Sequence, residues 1–159
     1  MYKIITFFTI LFFLISGCSV HKNRYNEKRN ELESSITNTQ KARLILDDDS
    51  AVLVTATYLN NLEKFEKNEV DTILLSIYFS NSENDRGDSW LPKVLINSEE
   101  ASITKLSQDD EIINYLPSAN AWSNHYLVTG KKSVDLKKFR FTVEIYPSIQ
   151  ALLTLQKDF

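Results

Sequence analysis

The sequence predicts an all-β domain, an antiparallel β-sandwich of about seven or eight strands spanning residues 43–159. Three observations carry this. From about Gln40 onward apolar residues recur with a period of two, which is the period of a strand rather than a helix. The clearest segments alternate apolar with charged side chains, the habit of an antiparallel sheet with one face in water. The segments are short, and in a chain with three Gly their turns fall to Asn, Asp and Ser. A length of 159 residues fits one domain with a real core.

In chain order, Arg43 to Leu46 opens the domain as a short strand. Ala51 to Leu59 follows, with Val52, Val54, Ala56 and Tyr58 on one face and Leu53, Thr55, Thr57 and Leu59 on the other. Thr72 to Phe79 puts Ile73, Leu75, Ile77 and Phe79 on one face. Lys93 to Ile96, Ser102 to Leu106 and Tyr126 to Thr129 are shorter strands. Between the last two the alternation breaks, and Asp109, Asp110 and Glu111 before Ile112 open a short helix. Acidic side chains suit a helix N-terminus. Leu136 to Tyr146 shows the strictest alternation, Phe139, Phe141, Val143 and Ile145 against Lys138, Arg140, Thr142 and Glu144. Pro147 then separates it from a final strand, Ile149 to Leu155. Two packed sheets with one wet face each are the expected outcome, of immunoglobulin-like or C2-like character. A small barrel is the alternative. An outer-membrane barrel is disfavoured, because the segments lack outward apolar bands flanked by aromatic girdles.

The N-terminus addresses location. Lys3 precedes an apolar run from Ile4 to Ile15, followed by Ser16, Gly17 and Cys18. A cation, a short apolar region and a small-residue exit make a secretory signal over residues 1–17. A run of about twelve residues falls short of the roughly 20 that a membrane-spanning helix needs. Ile15-Ser16-Gly17-Cys18 resembles the lipobox of bacterial lipoproteins. The resemblance implies cleavage before Cys18, a diacylglyceryl group on its thiol and acylation of the new amino group. Two or more acyl chains hold a protein stably, whereas one binds only marginally. The resemblance also implies, from Ser19, sorting to the outer membrane, with the domain facing the periplasm.

Residues 18–42 then form a charged tether. Lys22, Arg24, Lys28, Arg29 and Lys41 outnumber Glu27, Glu31 and Glu33, whereas Leu44 to Phe159 carries eleven basic and eighteen acidic residues. Attraction of the tether to anionic headgroups is one reading, and an ordinary solvated linker is the plainer one. Tyr25, Leu32 and Ile36 are spaced for one face of a short helix.

Catalytic chemistry finds little material. The one cysteine is, by the lipobox resemblance, the expected anchor, no Gly-rich loop is present to cradle phosphate, and no serine sits in a nucleophile elbow. Of two histidines, His21 lies in the tether, and His125 reads as a packed or surface residue rather than a ligand. No enzyme, no cofactor and no nucleic-acid partner are expected, the last because no strongly basic domain is present. Two acidic clusters, with Asp47 and Asp49 in one and Asp109 and Asp110 in the other, could offer oxygen ligands to calcium if they met. Acidic residues that close turns are the plainer reading. Arg86-Gly87-Asp88 matches an integrin-binding tripeptide too short to count. Trp90, Trp122 and Tyr126 could form an aromatic platform for sugar or peptide, although Trp also packs in sandwich cores. The expected protein is thus a membrane-anchored, non-enzymatic lipoprotein that binds an envelope protein or supports the envelope. A small-ligand or glycan-binding module is the alternative.

Overall fold

The structure is a computed structural model that describes residues 30–81, 90–117, 119–132, 136–146 and 149–157. The chain forms two compact units, Met1–Glu33 and Ser34–Phe159. The division falls inside a helix, α1, at residues 30–37. Its last turn is closed by Thr37 and Asn38, whose side chains both donate to the Ser34 carbonyl, at 2.8 and 2.9 Å. Leu32 and Ile36 are exposed, and Tyr25 lies outside the described residues. No helix among the described residues is long and apolar enough to cross a membrane.

The second unit is an antiparallel β-sandwich. Its nine described strands are β1 (Thr39–Ile45), β2 (Ala51–Tyr58), β3 (Val70–Phe79), β4 (Lys93–Ile96), β5 (Glu99–Glu100), β6 (Ser102–Lys105), β7 (Asn124–Lys131), β8 (Lys138–Tyr146) and β9 (Ile149–Gln156). Sheet A has the order β1-β2-β3-β7-β6 and sheet B the order β5-β4-β8-β9. β9 lies alongside β1 and β2, and β4 lies beside β6, so the two sheets meet along both sides. The first strand starts at Thr39, earlier than the sequence suggests. Its first half exposes Gln40 and Lys41 and sends only Ala42 and Leu44 toward the core, so it carries no hydropathy signal.

Alternation decides the core. Val52, Val54, Ala56 and Tyr58 of β2, Ile73, Leu75, Ile77 and Phe79 of β3, and Tyr126 and Val128 of β7 face inward from sheet A. Phe139, Phe141, Val143 and Ile145 of β8 and Ala151, Leu153 and Leu155 of β9 meet them from sheet B. Burying a large apolar side chain of this kind contributes about 1.5–3 kcal/mol. The outer face of sheet B is wet, with Lys138, Arg140, Gln150, Leu152 and Thr154 exposed.

Sheet A departs from the expectation of one wet face per sheet. Leu74 and Leu127 on its outer face are covered by a second apolar cluster of Leu59, Leu62, Ile113 and Leu116, with Phe65, Ile112 and Tyr115 at its margin. These side chains come from the connections on either side of the sheet, including the 3-10 turn Glu111–Tyr115 that the acidic run introduces. Ser35 donates to the Tyr115 carbonyl, so the chain leading into β1 is fastened to that cover.

Two local devices shape the sheets. Asn97 and Ser98 have φ of 51° and 72° and make the two-residue β4–β5 turn, in which both central residues are left-handed. After β5 the strand changes sheets at Ala101 and continues as β6. Gly130 faces this crossing, where a Cβ would stand 2.6 Å from Ile96 Cδ1.

A buried ion pair fixes the C-terminal end. Lys157 Nζ donates to Asp71 Oδ1 and Oδ2 at 2.7 and 3.0 Å, and Tyr58 Oη donates to Asp71 Oδ1 at 2.8 Å. Asp71 is 0% and Lys157 7% exposed. The ammonium also lies over the rings of Phe139 and Tyr58, at 5.4 and 5.7 Å. Burial, and then the Asp71 carboxylate, push the Tyr58 phenol above its usual range. The pair joins the residue after β9 to the start of β3, one sheet to the other.

Candidate functional site

Asp47, Asp48 and Asp49 are exposed in the β1–β2 turn. Asp47 Oδ1 accepts from the Asp49 amide at 3.0 Å, an Asx turn that closes the hairpin. The Ser50 side chain and this amide hold the Asp47 carboxyl below the usual carboxylate range. Asp109 is exposed, and Asp110 Oδ2 accepts from the Ser107 amide at 3.0 Å. Among the described residues no three His, Cys, Asp or Glu side chains converge as metal ligands. Asp47 and Asp110 thus close turns through their carboxylates, while Asp49 contributes its backbone amide. Cys18, His21 and Arg86-Gly87-Asp88 lie outside the described residues.

The three aromatic residues do not share a face. Trp90 is half-buried and meets Phe79 edge-on at 5.9 Å, against the main core. Tyr126 is inside that core, on the inner face of β7. Trp122, at 79% exposed, stands in solvent. A common stacking surface needs all three rings accessible on one side, and Tyr126 points inward because its neighbours in the ladder, Leu75 and Lys105, fix its parity.

Trp122 is held out by a built turn. Asn120 Oδ1 accepts from the Trp122 amide at 2.9 Å, and the Asn120 carbonyl accepts from the Ser123 amide at 3.3 Å. Gln108 Nε2 donates to the Ser123 carbonyl at 2.8 Å. Beneath the turn, His125 is 1% exposed, and its Nε2 is 3.3 Å from the Asn120 carbonyl. A carbonyl only accepts, so this contact assigns the proton to Nε2. Among the described residues Nδ1 makes no hydrogen bond. Burial lowers the His125 pKa, and the Asn120 contact partly offsets it. The imidazole is thus a neutral post that supports the turn. The sequence contained the Asn-x-Trp spacing of an Asx turn, but neither Asn120 nor Gln108 stands out from other polar loop residues.

The fold also sets where this turn lies. Ile45 pairs with Ala51, Val52 with Phe79 and Ile77 with Asn124, so the β1–β2 turn, Trp90 and the Trp122 turn share one end of sheet A. The chain comes into the sheet at Thr39, at the other end of β1, a span of roughly 20 Å for a seven-residue strand. No family model, curated protein or solved structure matches the chain.

Proposed function

We propose that the protein is a lipid-anchored, non-enzymatic interaction module of the bacterial envelope, held through Cys18 and engaging a partner protein through Trp122. The observation that carries the docking site is an indole left in water on a turn stiffened by Asn120, Gln108 and His125. Trp is the residue type most enriched among interface hot spots, where a pre-ordered ring loses little entropy on burial. A lone exposed ring favours a protein pocket over a sugar platform, which stacks its ligand on adjacent rings. The anchor rests on the resemblance of Ile15-Ser16-Gly17-Cys18 to a lipobox, and the outer-membrane, periplasm-facing location on Ser19.

Two measurements test the reading. Cys18→Ala should release the protein from membranes; unchanged membrane association with an uncleaved signal overturns the anchor. A photo-crosslinking residue in place of Trp122, in the intact lipoprotein within its own envelope, should give a protein adduct of discrete mass. That adduct should disappear when Asn120→Ala unmakes the turn. Absence of a protein adduct, together with retention of the intact protein on envelope glycan, overturns the protein-partner reading.

A further inference from the structure

The two ends of the sandwich differ in charge. At the Ile45 end the β1–β2 turn displays Asp47, Asp48 and Asp49. At the Thr39 end, Lys131 and Lys132 finish and follow β7, Leu136 and Lys137 lead into β8, and Lys138 and Arg140 lie at its start, all with exposed side chains. The register places these residues at that end, because Lys131 pairs with Val70 and Lys138 with Gln156. The carboxylates of the same end sit on other elements, Glu63, Glu66 and Glu69 before β3 and Glu99 and Glu100 in β5. Asp135 lies between the two groups of cations, outside the described residues.

Lys138 and Arg140 line concave surface, whereas Lys131 and Lys132 share a cleft of about 230 Å³ with Glu99 and Glu100, and Lys132 Nζ donates to the Asn68 carbonyl at 2.8 Å. A cleft of about 450 Å³ is bounded by Asn97, Ser98, Lys138, Arg140 and Thr154, with Leu136 and Phe139 as its apolar part. A second cleft of about 340 Å³ shares Lys138 and Thr154 and extends toward Asn38 and Gln40 of the incoming chain. Two cations with amide and hydroxyl donors suit a phosphate. An exposed leucine (Leu136, 47%) among lysines suits the boundary between headgroup and acyl chain.

We propose that this basic end docks on anionic phospholipid headgroups of the surface that holds Cys18, with Lys138 and Arg140 seating a phosphate in the cleft. The inference rests on the lipid-anchor reading. The chain from Cys18 to Ser34 has sixteen peptide links and reaches at most about 55 Å, so the domain stays within range of that surface. Tethering keeps the local headgroup concentration high, so a weak contact suffices. The chain also enters at the basic end, which lets that end face the bilayer while Trp122 faces away.

The test uses the mature lipidated protein in phosphatidylcholine vesicles with and without phosphatidylglycerol. A dye on Ser102→Cys, exposed near the basic end, reports quenching by headgroup-bound quencher. Quenching should require phosphatidylglycerol and fade with salt. A cation near an anionic surface is worth about five-fold in binding, so Lys131→Gln with Lys132→Gln should lower the docking constant roughly 25-fold. Lys138→Glu with Arg140→Glu should abolish docking, and Lys138→Arg with Arg140→Lys should preserve it. Equal quenching on neutral vesicles, or indifference to the reversals, overturns the proposal. Binding of polyglutamate with no response to vesicle charge overturns it in favour of an acidic protein partner. Flotation reads the anchor separately. Protein that floats with neither vesicle overturns anchor and docking together, and protein that floats with both but is quenched on neither overturns docking alone.

Discussion

Replacing Lys157 with Met keeps an unbranched side chain over the rings of Phe139 and Tyr58 but removes the ammonium from Asp71. Asp71 has no exposed surface, so its carboxylate loses charge-assisted hydrogen bonds of 2.7 and 3.0 Å with no water to replace them. The Tyr58 hydroxyl still donates to it at 2.8 Å. Breaking a buried pair on one side typically costs about 3–5 kcal/mol, most of it the penalty of the stranded charge. The double variant Lys157→Met with Asp71→Asn removes that charge and keeps an acceptor for Tyr58. It should cost only about 1–2 kcal/mol, less than Lys157→Met alone, because Asn makes up for what the single change strands. Urea unfolding of wild type, both single variants and the double variant gives the coupling, with the slope unchanged if the native state is intact. A loss below about 1 kcal/mol for Lys157→Met would refute the reasoning. It would mean that the ammonium spends its time in water and that β9 is not pinned to sheet A.

Four other changes probe the fold and the Trp122 turn. Gly130→Ala forces a methyl against Ile96 Cδ1, 2.6 Å from its built position, and should cost about 1–3 kcal/mol; with Ile96→Val, which deletes that atom, the extra cost should vanish in thermal unfolding. Ser98→Gly relieves a serine at φ 72° and should stabilise by about 0.5–1 kcal/mol in the same assay. The lowered His125 pKa means that the native state binds fewer protons than the unfolded chain below the ordinary value of 6.5. Stability is therefore fully present above that value and is lost as pH falls from it toward the folded pKa, by up to about 1.4 kcal/mol per pH unit. Denaturation midpoints from neutral to mildly acid pH should show this slope, and His125→Gln should flatten it. Trp122→Ala should leave stability within about 0.5 kcal/mol, since the ring touches mainly solvent, while reducing the partner adducts formed by a photo-crosslinking residue placed at the neighbouring exposed Ala121.

Periodicity carried most of the architecture. All eight segments read from the sequence form strands; alternation sets a buried face most plainly in β2, β8 and β9, whereas β1 and β6 only half-bury their inward residues. The two-residue β5 escaped, since Glu99 and Glu100 sit between a turn and the sheet crossing and have no period to show. The covered outer face of sheet A was written in the run Ile73-Leu74-Leu75, whose apolar residues fall on both parities. The Asp71–Lys157 pair had no sequence signature. Its partners are 86 residues apart, and charges at strand ends ordinarily face water. The aromatic residues make the same point about exposure. Trp90 and Trp122 are chemically identical, and only the third dimension puts one against Phe79 and the other in solvent.

How sheet A is covered bears on how the protein could carry load. The cover over Leu74 and Leu127 leaves the edge strand β1 open, with Lys41, Arg43 and Ile45 exposed on the outer face of sheet A, besides the wet face of sheet B and the two ends. Under the proposed anchoring, a lipid at Cys18 would pull through Ser34 and Thr39, and a partner at Trp122 would resist from the opposite end of the sheet. The line of force then runs along β1, parallel to its ladder with β2. Seven register pairs, Thr39–Thr57 to Ile45–Ala51, are loaded in shear and must fail together rather than unzip in turn. The Thr39–Thr57 hydroxyl contact at 2.7 Å and the Ser35 bond to Tyr115 add side-chain fastenings where the pull arrives. On the proposed function, a tether and a docking ring at opposite ends would load this small domain along a shear axis, an arrangement suited to envelope support.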